Sequence, residues 1–237
     1  MPKAPAKPKT ATARKDPIKK PAKPKDPKDS HLYTDDNPST TIHGTGFKDK
    51  AAAERTLDLI KERSLLYQFQ TVNTMFNRAK HHPAMKKKAA GSAGLADMNA
   101  AMAVFRNWID VTYPAEKAKM RADGFKPLLS KKCVEKYLPR VEGSKAVSDE
   151  AKRFAKVYVN LPKGKKLGNV LVDDSKPGER DWERRRYEVL DSSVPDGKEK
   201  REKEWKMSEL WTDEREVAEV HLECIAWAWS PVAESKL

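Results

Sequence analysis

The sequence predicts a mainly α-helical fold, a small helical bundle with a minor β-hairpin element and a disordered basic arm at the N-terminus. Three observations carry this. After residue 47, apolar residues recur at steps of three and four through most of the chain, the spacing of one helix face. Turn-rich connections separate these stretches. Residues 1–30 hold seven of the sixteen prolines and only Met1 and Ile18 as sizeable apolar groups, too little burial to offset the entropy of ordering. With 237 residues the chain can build a real core, as one domain with a tail or as two small domains.

Taken in order, residues 1–30 form the arm, partly polyproline-like, and residues 31–46 (HLYTDDNPSTTIHGTG) a polar, turn-forming linker. Residues 47–114 form a three-helix unit. Its first helix runs from about Lys48 to Glu62, with Phe47, Ala53, Leu57 and Ile60 facing inward. Ser64 caps the second, whose face carries Leu65, Phe69, Val72, Phe76 and Ala79 and which Pro83 ends. The third carries Leu95, Met98, Met102, Phe105 and Ile109, with Pro114 as its expected terminus.

Residues 115–237 read as a mixed, mainly helical region. Leu128, Leu129, Cys133, Val134, Tyr137 and Leu138 suit a short helix after Pro127, and Ser148 caps another with Ala151, Phe154, Ala155 and Tyr158. Leu167–Val172 (LGNVLV) and Arg186–Leu190 (RYEVL) are the strand candidates of the hairpin, separated by the turn signal Lys176-Pro177-Gly178. A final helix, capped at Thr212 and closed by Pro231, is apolar almost all round and is expected to be buried.

Composition excludes several classes. No apolar run approaches the ~20 residues of a membrane span, and the chain opens on lysine and proline, unlike an apolar export segment. Two cysteines, Cys133 and Cys224, make neither a disulfide framework nor a four-thiolate zinc site, so a reducing compartment is expected. Gly44 and Gly46 lack the third glycine of a dinucleotide loop, and Gly164 to Gly168 lacks the lysine and hydroxyl of a phosphate loop. The rings of His81 and His82 diverge on a helix. His221 and Cys224 stand at i, i+3 with no second pair nearby. Pro195-Asp196 with Glu204-Trp205-Lys206 has the bare shape of a two-carboxylate and lysine nuclease site, but the intervening GKEKREK is unlike a buried strand. No catalytic set, cofactor or metal site is expected.

The charge of +13 is segregated, and segregation is what argues for a polyanionic partner. Lys3, Lys7, Lys9, Arg14, Lys15, Lys19, Lys20, Lys23, Lys25 and Lys28 face only three acids within residues 1–30, a net of +7. Residues 63–96 hold Arg78, Lys80, Lys86, Lys87 and Lys88, with Arg63, and no acid. Residues 151–172 hold Lys152, Arg153, Lys156, Lys163, Lys165 and Lys166, again with none. Residues 208–237 carry seven acids against two cations. The polar face of the second helix, Gln68, Gln70, Thr71, Asn73, Thr74 and Asn77, offers groups that can bond base edges, as in the reading helix of a helix-turn-helix, and equally suits a helix packed among neighbours.

Lysines spaced by proline and alanine (PKAPAKPK, KKPAKPKDPK) keep positive charge extended, which suits tracking phosphates without reading bases. This arm resembles the tails of linker histones, apart from its three aspartates, and KKPAKPK, Lys19 to Lys25, is similar to a nuclear import signal. The resemblance implies a nuclear, chromatin-like role in DNA packaging or regulation. The expected function is therefore a non-enzymatic nucleic-acid-associated protein, with duplex DNA favoured over RNA. An acidic C-terminal surface would be available to a protein partner. The competing readings are a nuclear adaptor whose arm is only a targeting signal, and a metal-dependent nuclease.

Overall fold

The computed structural model describes residues 42–86, 93–122, 126–193 and 207–237, all within the compact unit Asn37–Leu237. It is a small, mostly helical bundle around two apolar clusters. α1 (Lys50–Ile60) starts where the Asp49 carboxylate accepts from the Ala52 amide at 2.7 Å, and α2 (Leu65–Lys80) where Ser64 caps Tyr67. A single turn, α3 (Pro83–Lys86), follows. α4 (Ala93–Asn107) packs on both α1 and α2, so that Ala101 and Phe105 meet Ala53, Ile60, Val72 and Met75 in the first cluster.

Pro114 does not end this third helix. The chain widens into a π-turn over Trp108–Thr112, where the Tyr113 amide donates to the Trp108 carbonyl, and continues as α5 (Tyr113–Ala122). Proline lacks the amide for a regular helical bond and crowds the carbonyl four residues back. The wider turn absorbs both defects, and the helix passes through.

The second cluster is built by α6 (Lys131–Gly143), α7 (Asp149–Asn160), α8 (Trp182–Ser193) and α10 (Glu219–Ala226), with the single turn α9 (Met207–Leu210) beside α10. Phe154 lies at its centre, with ring centroids 5.0 Å from Trp227 and 5.8 Å from Trp182. Such aromatic contacts add about 0.5–1.5 kcal/mol each beyond the area they bury. Serines cap α6 and α7, and acids from the last segment hold those serines. The Glu223 carboxylate accepts from the Ser148 amide and hydroxyl at 2.9 and 2.8 Å, and Glu234 accepts from the amide and hydroxyl of Ser130.

The β-hairpin is overturned, for no strand or sheet exists among the described residues. Leu167–Asn169 is a 3₁₀ turn, and Leu171 forms only an isolated bridge with Asp181. The other strand candidate, Arg186–Leu190, lies inside α8. There Asp181 accepts from the Arg184 amide as N-cap, and Trp182, Arg186 and Leu190 share one buried face at steps of four. The cause of the misreading is Arg186, which is buried. Its guanidinium donates to the carbonyls of Trp227 (2.8 Å), Lys126 (3.0 Å), Pro127 and Ala228 (3.2 Å each).

The last helix is also shorter than expected. Thr212 starts a turn that returns through Arg215, at φ +60°, and pairs Trp211 with Val217; helix begins at Glu219, and Val220 is exposed.

Candidate nucleic-acid interface

A surface that binds phosphates needs cations that the fold leaves outward and outside internal ion pairs. Lys3, Lys7, Lys9, Arg14, Lys15, Lys19, Lys20, Lys23, Lys25, Lys28, Lys87 and Lys88 lie outside the described residues, and Lys86 ends α3. Three cations of the acid-free stretch 151–172 serve the fold. Lys152 pairs with Asp149 at 3.7 Å and Lys156 with Glu142 at 3.0 Å, while Arg153 donates to the Val172 carbonyl and lies over the Trp182 ring. Lys163, Lys165 and Lys166 are different: all three are exposed, and no ion pair among the described residues involves them.

Their loop has a defined shape. The Lys165 amide donates to the Pro162 carbonyl at 3.1 Å, and Gly164 between them takes φ +87°. This is a type II turn, which requires a residue tolerant of positive φ at that position, hence glycine. Beyond the turn, Lys131 at the start of α6 donates through Nζ to the Leu161 carbonyl and lies 6.0 Å from the Tyr158 ring centroid. That contact ties the start of α6 to the end of α7, just before the turn; Lys132, the next residue of α6, is exposed. Lys131 and Lys132 escaped the sequence reading because they sit some thirty residues before the loop; the only local signal was a lysine pair directly after a capping serine.

The far end of the loop is locked to the N-terminus of α2. Buried Arg63 donates to the Gly168 carbonyl at 2.9 Å, to the Pro177 carbonyl at 2.8 Å and to Asp181 at 3.1 Å, while the Ser64 amide donates to the same Asp181 oxygen at 2.8 Å. A Cβ on Gly168 would fall 2.7 Å from both Glu183 Oε2 and Ser64 Oγ, so a larger residue there would have to displace those two side chains. Glu183 is pushed up from the ordinary carboxylate range, first by burial and then by Asp181, against the Ser64 hydroxyl and Lys166, which favour its charge.

α2 itself presents an exposed ridge. Gln70, Asn73, Asn77 and Lys80 are solvent-exposed, opposite buried Val72, Met75 and Ala79, and span an arc of about 80° of the helix. No acid occurs in the sequence from Arg63 through Lys86. The packed-helix account of these amides thus fails for three of them. Gln68 closes the entry to α2, donating to the Lys61 and Arg63 carbonyls. Asn77 Nδ2 donates to the Asn73 backbone oxygen at 2.8 Å and to its Oδ1 at 3.1 Å. Asparagine is a poor helix former, so the two together cost α2 about 1 kcal/mol relative to alanine and gain no burial in return. Arg78 turns partly inward with its Nε buried.

Other candidates are accounted for by the fold. Of the seven C-terminal acids, Glu219, Glu223 and Glu234 hold serines and Glu216 pairs with Arg140, while Asp213 and Glu214 stay exposed in the turn. His221 is buried, with Nδ1 against the Leu210 carbonyl and Nε2 against Ser230, so neither nitrogen is open to a metal with Cys224. No group of three metal-binding side chains exists among the described residues, and the residues 194–206 that bear the nuclease-like triplet lie outside them. Trp182 and Trp227 are core residues rather than base-stacking platforms. A cleft of about 340 Å³ between Ser64, Tyr113, Met120 and Tyr187 is lined by Lys126 and Arg184, which pair with Asp191 and Glu188, and by Lys117, which lies over the Tyr113 ring, and Lys119. Among the described residues, no helix is long and apolar enough to cross a membrane. No family model matches the chain, and neither the curated proteins nor the solved structures searched contain a match to it.

Proposed function

We propose that this protein binds nucleic acid, duplex DNA in the first place, by nonspecific contact with phosphates, and that it does so without catalysis. The observation that carries the reading is a set of lysines, exposed and outside every ion pair among the described residues: Lys163, Lys165 and Lys166 around a turn that Gly164 shapes and Arg63 anchors, and Lys132 in the first turn of α6. A rigid cationic projection of this kind loses little entropy on meeting a phosphate chain, and release of condensed counterions supplies the driving force. The lysine-rich arm adds charge of the same sign, and its likeness to linker-histone tails gives the reading a nuclear, chromatin-like setting. The exposed end of α2, through Lys80, extends the same chemistry.

The test is binding of labelled duplex DNA by the full chain over a series of salt concentrations, beside a variant with all four lysines changed to alanine. Each phosphate contact contributes about 0.9 to the slope of log affinity against log salt, so the variant should be shallower by roughly 3 to 4. A wild-type chain that ignores duplex DNA in dilute buffer, or a variant with an unchanged slope, overturns the reading. The variant should fold normally, because the four side chains carry no packing.

A further inference from the structure

We infer that the exposed ridge of α2 reads base edges in the major groove of duplex DNA, with Asn73 and Asn77 as base-contacting residues and Gln70 and Lys80 flanking them. The inference rests on the phosphate-binding reading above and adds selectivity to it. Three observations lead there. The ridge residues are exposed and share one arc of a 16-residue helix, about 24 Å long and of a diameter that a groove about 12 Å wide admits. The ridge is free of acids and runs at its C-terminal end into Lys80 and the lysines that follow, so its charge suits a groove walled by phosphates. The two asparagines are also preorganised. Asn77 spends its Nδ2 on Asn73, which leaves the Asn73 amide as a donor and Asn77 Oδ1 as an acceptor, held one turn apart.

That donor and acceptor match what adenine displays in the major groove, an N7 acceptor beside an N6 donor. Adenine alone carries such an acceptor and donor side by side on one base, whereas in a G·C pair the adjacent O6 acceptor and N4 donor belong to different bases; a pair already bonded together also loses less freedom on contact than two separate side chains would. The positions from Gln70 to Asn77 cover about 10 Å along the helix, enough for about three base-pair steps. Double-stranded RNA is not an equivalent occupant, because its deep, narrow major groove does not admit a helix.

The experiment enriches a pool of random-sequence duplex DNA on the full chain at a salt concentration where bulk duplex is weakly held, in parallel with an N73A/N77A variant. Alanine is the better helix former and both sites are exposed, so α2 persists in the variant. The wild type is expected to enrich an adenine-containing motif and to prefer it over scrambled duplex by roughly 5- to 100-fold. The variant is expected to keep the affinity for unselected duplex within about twofold and the same salt slope, while the preference disappears. Binding of duplex without enrichment, or enrichment of the same motif by the variant, overturns the base-reading inference and leaves phosphate binding standing. Enrichment from an RNA pool alone overturns it as well. Failure of phosphate binding looks different, since no DNA pool is retained by either protein.

Discussion

Asp181 is the residue whose loss should cost this fold most. Its side chain is fully buried and accepts from Arg63 Nε at 3.1 Å, from the Ser64 amide at 2.8 Å and from the Arg184 amide at 2.9 Å. One carboxylate therefore caps α8, orients the entry to α2 and neutralises a guanidinium that is only 2% exposed. In Asp181→Ala the Arg63 charge stays buried, held by the Gly168 and Pro177 carbonyls and by the Tyr67 ring 3.7 Å away, but without a counter-charge. Breaking a buried pair by removing one partner costs about 3–5 kcal/mol, and the lost cap lies within that range. For a chain of this size that lowers Tm by about 6 to 20 °C. Urea unfolding followed by circular dichroism measures it. The sharper arm is the double variant Arg63→Met/Asp181→Ala, which removes the orphaned charge and should be more stable than Asp181→Ala alone. A single variant within 1 kcal/mol of wild type, or a double variant that simply sums the singles, refutes the role given to this pair.

Three further outcomes follow from buried polar groups. Arg186→Lys keeps the charge but cannot reach four carbonyls from one point, so it should lose about 3 kcal/mol or more in urea unfolding; a loss below 1 kcal/mol would show that those bonds matter little. Burial also pulls the Arg186 guanidinium down to about 10, still well above neutrality, so this cost is expected to be flat from pH 6 to 8. Glu183 holds its proton more tightly folded than unfolded, so its contribution is complete below the ordinary value of 4.5 and declines as pH rises. Glu183→Gln should therefore be the more stable protein at pH 7 and lose that advantage below pH 4.5, and an advantage independent of pH would contradict the burial argument. His221 is the opposite case. Burial lowers its proton affinity, so stability is complete above 6.5 and falls on acidification below it, by at most about 1.4 kcal/mol per pH unit, and His221→Gln should flatten that limb.

Helices with a regular apolar stripe were legible in the sequence, down to the capping serines. Ser64 and Ser148 each accept from an amide three residues on, and α7 buries the Ala151, Phe154, Ala155 and Tyr158 face that its spacing defines. The errors share one cause, which is that periodicity treats every charged side chain as outward. Arg186 and Arg63 point inward because backbone carbonyls elsewhere in the chain satisfy them, and no local pattern announces a partner 40 or 100 residues away. With Arg186 counted as polar, the α8 stripe of Trp182, Arg186 and Leu190 vanished and a strand appeared instead. Pro114 misled for a related reason, since a proline stops a regular α-turn but not a π-turn.

The same inward bias changes what a count of charge means. In residues 151–172 the sequence shows six equivalent cations and no acid, yet Lys152 and Lys156 are paired from neighbouring turns or helices and Arg153 is spent on a carbonyl and a ring. Three remain outward, and Lys132, in the first turn of α6, is exposed as well. The acids are redistributed as well. Glu234, carried next to this cluster by its bonds to Ser130, is held below the ordinary carboxylate range first by the serine hydroxyl and then by the serine amide. Its bonds to a neutral serine favour the ionised carboxylate, so Glu234 keeps its negative charge beside the start of α6 and offsets part of the positive charge there. A ligand approaching this face meets the positive charge that internal pairing leaves over, and that remainder sets the salt slope.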